Sequence, residues 1–215
     1  MLEIPFLISA FVTLFVVIDP IGTAPLFLAL TQGMSASQRR AVGLRACFIA
    51  ALLLLAFALA GEDFLRFIGI SMPAFQIAGG LLLFLTALDM LFDRRSERRQ
   101  NHADEGSGNL ADDPSVFPLA MPLIAGPGAM ATMVLLINDT GGSWEGVALI
   151  SGVMLAVIAL VLLAFLAAAP LERILRRTGT MVLTRLFGLL LSALSVQFVL
   201  NGASALGILP NALPM

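Results

Sequence analysis

The sequence lacks lysine and tyrosine altogether, and it contains only one cysteine, Cys47, and one histidine, His102. A single cysteine excludes a disulfide within the chain, and one cysteine with one histidine is too few for a Cys/His metal cluster. The formal net charge is only -2, so the chain has no broad basic field for nucleic acid. We therefore expect no bound metal, no cofactor and no nucleic-acid partner.

Charge of either sign is scarce, because charged residues make up 12% of the chain and hydrophobic residues 59%. The mean hydropathy of +0.99 lies far outside the range of soluble domains. A hydrocarbon core of ~30 Å is crossed by ~20 helical residues. Six apolar runs are long enough: 4–30, 41–61, 68–92, 117–137, 144–169 and 181–205. The sequence predicts an all-α integral membrane protein with six transmembrane helices.

No catalytic set of residues accompanies these runs. An intramembrane protease would need paired aspartates in a GxGD-type context, or a serine with a histidine inside the membrane. His102 instead lies in the polar stretch "DRRSERRQNHADEGSGNLADDPS". We expect no enzymatic activity.

The arginines are sorted between the two sides of the membrane. All of them except Arg66 fall in or beside the loops that follow the first, third and fifth runs. Cytoplasmic loops retain positive charge, so we expect both termini on the outer, periplasmic side. The polar stretch then forms a cytoplasmic linker, residues 94–115, between two transmembrane units, residues 1–93 and 116–215.

The two units resemble each other in sequence. Phe15, Pro20 and Pro25 recur 102 positions later as Phe117, Pro122 and Pro127. "LLLLAF" at 52–57 and "GLLLFLTALD" at 80–89 recur 108 positions later as "LVLLAF" and "GLLLSALSVQ". Leucine-rich helices match easily by chance, so the proline spacing and the common order are the stronger signal. Each unit has three spans, an odd number, so the duplication predicts two inverted three-helix repeats, an architecture of many secondary transporters.

Proline and glycine interrupt the first and fourth runs, in "DPIGTAP" and "PLIAGPG". Proline removes a helical hydrogen bond, so Pro25 and Pro127 are expected to free carbonyls and break these spans. A freed carbonyl is tolerated in a membrane only where protein, water or a ligand satisfies it. The alternative is a structural kink without further role. Small residues leave room for a compact ligand, so we predict a substrate site at Asp19, Pro20, Gly22, Thr23, Pro25, Pro122, Gly126, Pro127 and Gly128.

Asp19 lies deep in the first run, where an ionised side chain is costly and suggests function. It is a candidate for binding a coupling cation, a proton or a substrate ammonium group. The alternative, which is compatible with that role, is an acid that caps the helix starting at Pro20. Asp89 and its repeat partner Gln197 are further coupling candidates, although Asp89 lies close enough to the end of its span to reach the interface.

Four segments resemble the MarC family of bacterial inner-membrane proteins: "DPIGTAPLFLALT", "IAGGLLLFLTALDML", "FPLAMPLIAGPGAMATMVLL" and "RLFGLLLSALSVQFVLNG". The resemblance implies six spans in a bacterial inner membrane and, for some members, transport of small neutral amino acids. We expect such a solute and the lipid bilayer as partners. A homo-oligomer and an ion- or solute-conducting channel stay open as alternatives, because broken helices also build ion filters.

Overall fold

The computed structural model describes residues 4–92 and 113–208, without the side chains of residues 171–177. Most of the predicted linker, 94–115, lies outside these ranges. The described residues form helices and no strand: α1 (Ile4–Ile18), α2 (Pro20–Leu30), α3 (Ala36–Phe67), α4 (Met72–Leu91), α5 (Ser115–Ile124), α6 (Pro127–Asp139), α7 (Trp144–Leu166) and α8 (Ala168–Ala205).

Five stretches are each long and apolar enough to cross a membrane: Ile4–Leu30, Ala36–Phe67, Met72–Leu91, Trp144–Leu166 and Thr178–Ala205. The count becomes six if α5 and α6, which meet at an angle of 52°, are taken together as one broken span. The all-helical membrane architecture with five or six spans is thus confirmed.

Capping residues, rather than the apolar runs, set where the helices begin. The run predicted at 41–61 is a helix of 32 residues, because Ser35 caps its start and Gln38 completes a capping box. Ser143 caps α7 through its hydroxyl, which accepts a hydrogen bond from the Gly146 backbone N–H. In α3, helical backbone therefore extends past the hydrocarbon-length run.

The entry to α5 is tied to the start of α3. Asp113 accepts a hydrogen bond from the Ser115 backbone N–H at 3.0 Å and forms an ion pair with Arg45. Burial acts to raise the pKa of the Asp113 carboxyl, but the hydrogen bonds from Ser115 and the charge of Arg45 outweigh it and lower the pKa. The pair links the entry of α5 to α3.

Helices of the two halves interlock in the core. Two helices of the first half contact the second half: α1 packs on α7, and α2 packs on α7 and α8. Two helices of the second half contact the first half: α5 packs on α3, and α6 packs on α3 and α4. The centre is filled by fully buried apolar side chains, among them Leu14, Ile18, Leu83, Ile124, Met133 and Ile150. Large apolar side chains also cover the outside of the bundle, including Phe48, Phe64 and Leu189. This surface suits lipid contact.

The largest interface joins α4 and α8, which run antiparallel. A Cβ added at Gly80 of α4 would lie 2.8 Å from the Ser195 carbonyl oxygen of α8. Further along α4, the Ala87 carbonyl oxygen lies 3.1 Å from the position a Cβ would take at Gly188, earlier in α8. Only glycine allows the two backbones to approach so closely.

Candidate functional site

Asp19 is fully buried and separates α1 from α2. Its backbone is left-handed, with φ 56° and ψ 68°, an uncommon conformation for a residue other than glycine. Helical hydrogen bonds continue on both sides: its N–H donates to the Phe15 carbonyl at 2.9 Å, and its carbonyl accepts from the Thr23 N–H at 3.1 Å. The interruption is one residue wide, so Ile4–Leu30 remains a single span.

The Asp19 side chain caps α2. Its Oδ1 accepts a hydrogen bond from the Gly22 backbone N–H at 2.9 Å. Pro20 is the first residue of the helix, where its missing N–H has no cost. A Cβ at position 22 would lie 2.0 Å from Asp19 Oδ2. The capping role expected as the alternative for Asp19 is therefore present, and glycine at position 22 makes room for the carboxylate.

Thr23 is also fully buried, and its side chain contacts backbone carbonyls at this break. Its hydroxyl lies within hydrogen-bond distance of the Asp19 carbonyl at 3.0 Å and of the Pro20 carbonyl at 3.1 Å. Pro25 lies inside α2, which continues to Leu30. The first span is thus interrupted at Asp19, whereas α2 continues without a break at Pro25.

The second proline-glycine segment has a different local structure. In α5 the backbone is extended at Phe117 and Met121, and the peptide bonds that follow these two residues are cis. The N–H of Ala125 donates to the Ala120 carbonyl at 2.9 Å. Gly126 is the N-cap residue that precedes α6, and it makes no side-chain cap. A Cβ at Gly126 would lie 2.5 Å from the Pro122 carbonyl oxygen. Pro127 is the first residue of α6, as Pro20 is of α2.

Gly128 of the second segment lies beside the end of α1 and beside α4. A Cβ at Gly128 would lie 3.7 Å from Val17 Cγ1 and 3.0 Å from Leu83 Cδ2. Of the predicted site residues, the buried ones are Asp19, Pro20 and Thr23; the partly exposed ones are Gly22, Gly126 and Gly128; and the exposed ones are Pro25, Pro122 and Pro127. The buried acid and the small residues, rather than most of the prolines, lie towards the core.

The other two coupling candidates lie away from this centre. Asp89 is partly exposed and close to the end of α4. Gln197 on α8 donates a hydrogen bond from Nε2 to Asn201 Oδ1 at 2.7 Å. A groove of about 220 Å³ lies between α4 and α8, with a lining of Leu81, Phe84, Ser195, Val196, Val199 and Leu200. Across 4–92 and 113–208, no cluster of His, Cys, Asp and Glu suitable for a metal ion occurs.

A pair of aromatic rings near the end of α2 was missed by sequence reasoning. Phe27 of α2 and Phe165 of α7 stack with their centroids 4.3 Å apart and their planes 2° from parallel. Both rings are buried, and α3 contributes Gly43 beside them. The available signal was the repeated "LLAF" segment, which ends at Phe165 in the second half.

These features define a multi-pass helical membrane protein with a buried acid at a helix start inside its first span. The sequence profile described as "MarC family integral membrane protein" matches residues 4–206. The chain belongs to the MarC family.

Curated relatives match over nearly their whole length. The chain is 33% identical to the UPF0056 membrane protein YhcE of Escherichia coli, over 98% of this chain and 97% of the relative. It is 35% identical to YvbG of Bacillus subtilis, over 95% and 96%. A UPF0056 membrane protein of Methanocaldococcus jannaschii is 34% identical, over 94% and 97%. These names state no substrate, mechanism or enzymatic activity, and no solved structure matches the chain.

Proposed function

We propose that this chain is a secondary transporter that moves small neutral amino acids across a bacterial inner membrane by alternating access. The observation that carries the proposal is Asp19, an acid that is fully buried within a transmembrane span and lies at the start of a helix. Burying a carboxyl group in a membrane is expensive, and such groups by default mark substrate, ion or proton pathways.

The proposal includes an inverted repeat, and the main support for that repeat is the α4–α8 interface. Gly80 and Gly188 are 108 positions apart, and so are Ala87 and Ser195. The approach of Gly80 to the Ser195 carbonyl and that of Gly188 to the Ala87 carbonyl are therefore the same contact made twice. Reciprocal contacts of this kind are typical of a two-fold axis. Because α4 and α8 are antiparallel spans, the axis would lie in the membrane plane.

The remaining packing follows the same symmetry. The contact between α2 and α7 corresponds to the contact between α6 and α3, and the contact between α2 and α8 corresponds to that between α6 and α4. The contact between α1 and α7 corresponds to that between α5 and α3. Ser35 and Ser143, which cap α3 and α7, are again 108 positions apart. Pro20 and Pro127, which begin α2 and α6, are 107 apart, so nearly one register relates all three spans.

The site itself would lie where the two halves meet, around Asp19, Thr23, Gly126 and Gly128. The start of α6, which has no side-chain cap, carries partial positive charge suited to a substrate carboxylate. Asp19 would bind the substrate ammonium group or a coupling cation. Leu83 and Val17 already lie beside Gly128, so the site would accept only a compact solute, and its halves would have to separate for entry.

Transport assays on purified protein in proteoliposomes test the proposal. Uptake and counterflow would be measured with a panel of amino acids, with and without proton and sodium gradients. Asp19→Asn keeps the shape and removes the charge. A coupling role predicts that gradient-driven uptake is lost while exchange persists, and an ammonium-binding role predicts weakened substrate affinity. Asp63→Asn, at an exposed position of α3, is the matched control.

A steric variant tests the location independently. Gly126→Val should block uptake, because even a Cβ at this position meets the Pro122 carbonyl. Gly152→Val, with open space around it on α7, is the control and should leave uptake unchanged. Full gradient-driven transport in both Asp19→Asn and Gly126→Val would refute this site. Solute conductance without counterflow would instead establish the channel alternative.

A further inference from the structure

Two interfaces between the halves lie at opposite ends of the bundle. The chain leaves α2 at Leu30 and starts α3 at Ala36, so the Phe27–Phe165 stack is at the end where α3 begins. The matching interface, between α6 and α3, lies near the other end of α3, where a Cβ at Gly61 would be 2.5 Å from Val134 Cγ2. Each interface joins a helix of one half to a helix of the other.

Equivalent aromatic residues are packed differently at the two ends. Phe57 and Phe165 are 108 positions apart and both end the repeated "LLAF" segment. Phe165 is 1% exposed, whereas Phe57 is 36% exposed. Of these two equivalent phenylalanines, Phe165 is therefore buried in the core at one end of the bundle, and Phe57 is exposed on its surface. At the spacing of 107 that relates Pro20 to Pro127, the counterpart of Phe27 is Val134, so the aromatic pair is built at one end of the bundle.

Polar contacts hold α2 in place beside the stack. The Thr31 hydroxyl donates to the Phe27 carbonyl at 2.7 Å, and Arg39 Nη2 donates to the Thr31 carbonyl at 3.4 Å. Both contacts lie within α2 and the start of α3, on the first-half side of the interface. On the α7 side, Phe27 meets the Phe165 ring, so opening the interface at this point would separate one apolar face from another.

We propose that the Phe27–Phe165 stack is the gate that closes the transport pathway at the end of the bundle where α2 ends. This inference rests on the proposed function and names a moving element of it. Alternating access rocks one repeat against the other, so the α2–α7 interface opens in one access state, whereas in this structure both it and the equivalent α3–α6 interface are closely packed. Ala24, buried three residues before Phe27 on α2, lies behind the gate on the side of Asp19.

Thiol accessibility tests the gate without any need for transport. In full-length protein with Cys47→Ala, a small hydrophilic thiol reagent would be applied to Ala24→Cys. Phe165→Leu, which keeps much of the bulk but removes the ring, is expected to raise the labelling rate about tenfold. The control substitution Phe48→Leu, at an exposed position of α3, should leave it unchanged. A second reporter, Ala58→Cys, is buried towards the other end of α3 and should also keep its rate.

The outcomes separate a gate from loosened packing. Faster labelling at Ala24→Cys alone supports the gate. Equal acceleration at Ala24→Cys and Ala58→Cys, or no acceleration at either, overturns it.

Tethering the gate tests its role in transport. A short, reducible cross-linker between Phe27→Cys and Phe165→Cys should lower uptake about tenfold, with recovery on reduction. Phe11→Cys with Phe15→Cys is the matched control, because these rings lie 6.0 Å apart on one helix and their tether joins no moving elements. Undiminished uptake by fully cross-linked protein would refute the gate. If the untethered protein exchanges no solute at all, the transporter proposal fails instead, and the labelling result still decides whether the stack is a barrier.

Discussion

Asp19 and Gly22 are fitted to each other: the Gly22 N–H donates to Asp19 Oδ1 at 2.9 Å, and the carboxylate fills the space that a side chain at position 22 would need. Gly22→Ala should therefore displace the carboxylate and remove the cap of α2, at a cost of about 1 kcal/mol in stability. Thermal unfolding in detergent would measure this as a lowered Tm. In Gly152→Ala, where nothing lies within 4 Å of the new Cβ, the Tm should stay level or rise. An unchanged Tm in Gly22→Ala would contradict the cap.

The reciprocal glycines of α4 and α8 give a second prediction. Gly80→Ala and Gly188→Ala should each destabilise the protein by about 1–3 kcal/mol, because the added methyl meets the backbone of the other helix. Gly43→Ala should have little effect, since its Cβ would make only ordinary contacts at 3.5 Å. Both interface substitutions force the same two helices apart, so the double variant should lose less than the sum of the single losses. Strict additivity in denaturation experiments would argue against a shared interface.

The Arg45–Asp113 pair predicts a pH dependence. Its environment lowers the pKa of Asp113 from the ordinary value of 3.8, so the carboxylate stabilises the folded state above that value and loses this contribution as the pH falls through the lowered pKa. Asp113→Asn should be less stable than the parent at pH 7 by at most about 1 kcal/mol, because the pair is solvent-exposed. Unfolding measured well below the pKa should no longer distinguish the two proteins. A difference that persists there would come from packing and not from charge.

The orientation in the membrane is a further prediction. With Cys47 replaced by alanine, single cysteines at Gln38 and at Trp144 would report on the two ends, since both positions are exposed. In intact cells an impermeant thiol reagent should label Trp144→Cys and spare Gln38→Cys until the membrane is permeabilised. Labelling of Gln38→Cys in intact cells would contradict the predicted topology.

The lengths of the apolar runs made the membrane architecture predictable from the sequence. The helix boundaries and the site geometry were less predictable, because they depend on local backbone conformation. The run at 144–169 corresponds closely to Trp144–Leu166, because its polar cap, Ser143, directly precedes the apolar residues. The start of α8 at Ala168 could not be read in the same way, since helical backbone there continues outside the membrane run beginning at 181.

Proline was harder to interpret, because it is equally compatible with a helix start and with a kink. The sequence paired Pro20 with Pro122, yet the residues that begin helices are Pro20 and Pro127. The choice depends on backbone torsions at Asp19 and Ala125 that no residue pattern specifies. Similarly, the burial of Asp19 was predictable from its depth in the span, whereas the exposure of Pro25 depended on which face of α2 meets α7 and α8.

The antiparallel contact of α4 with α8 has the form of an interface between two copies of one three-span chain inserted in opposite directions. Two separate copies would need no fixed orientation, whereas a single chain does, and the arginines beside the odd-numbered loops are predicted to set that orientation. Two proposed repeats joined in one chain would also be free to diverge: Pro20, at the start of α2, is preceded by an acid, whereas Pro127, at the start of α6, is preceded by Gly126. If the proposed inverted repeat holds, the pathway has a symmetric frame but an asymmetric lining, with Asp19 in one half and Gly126 at the equivalent position of the other.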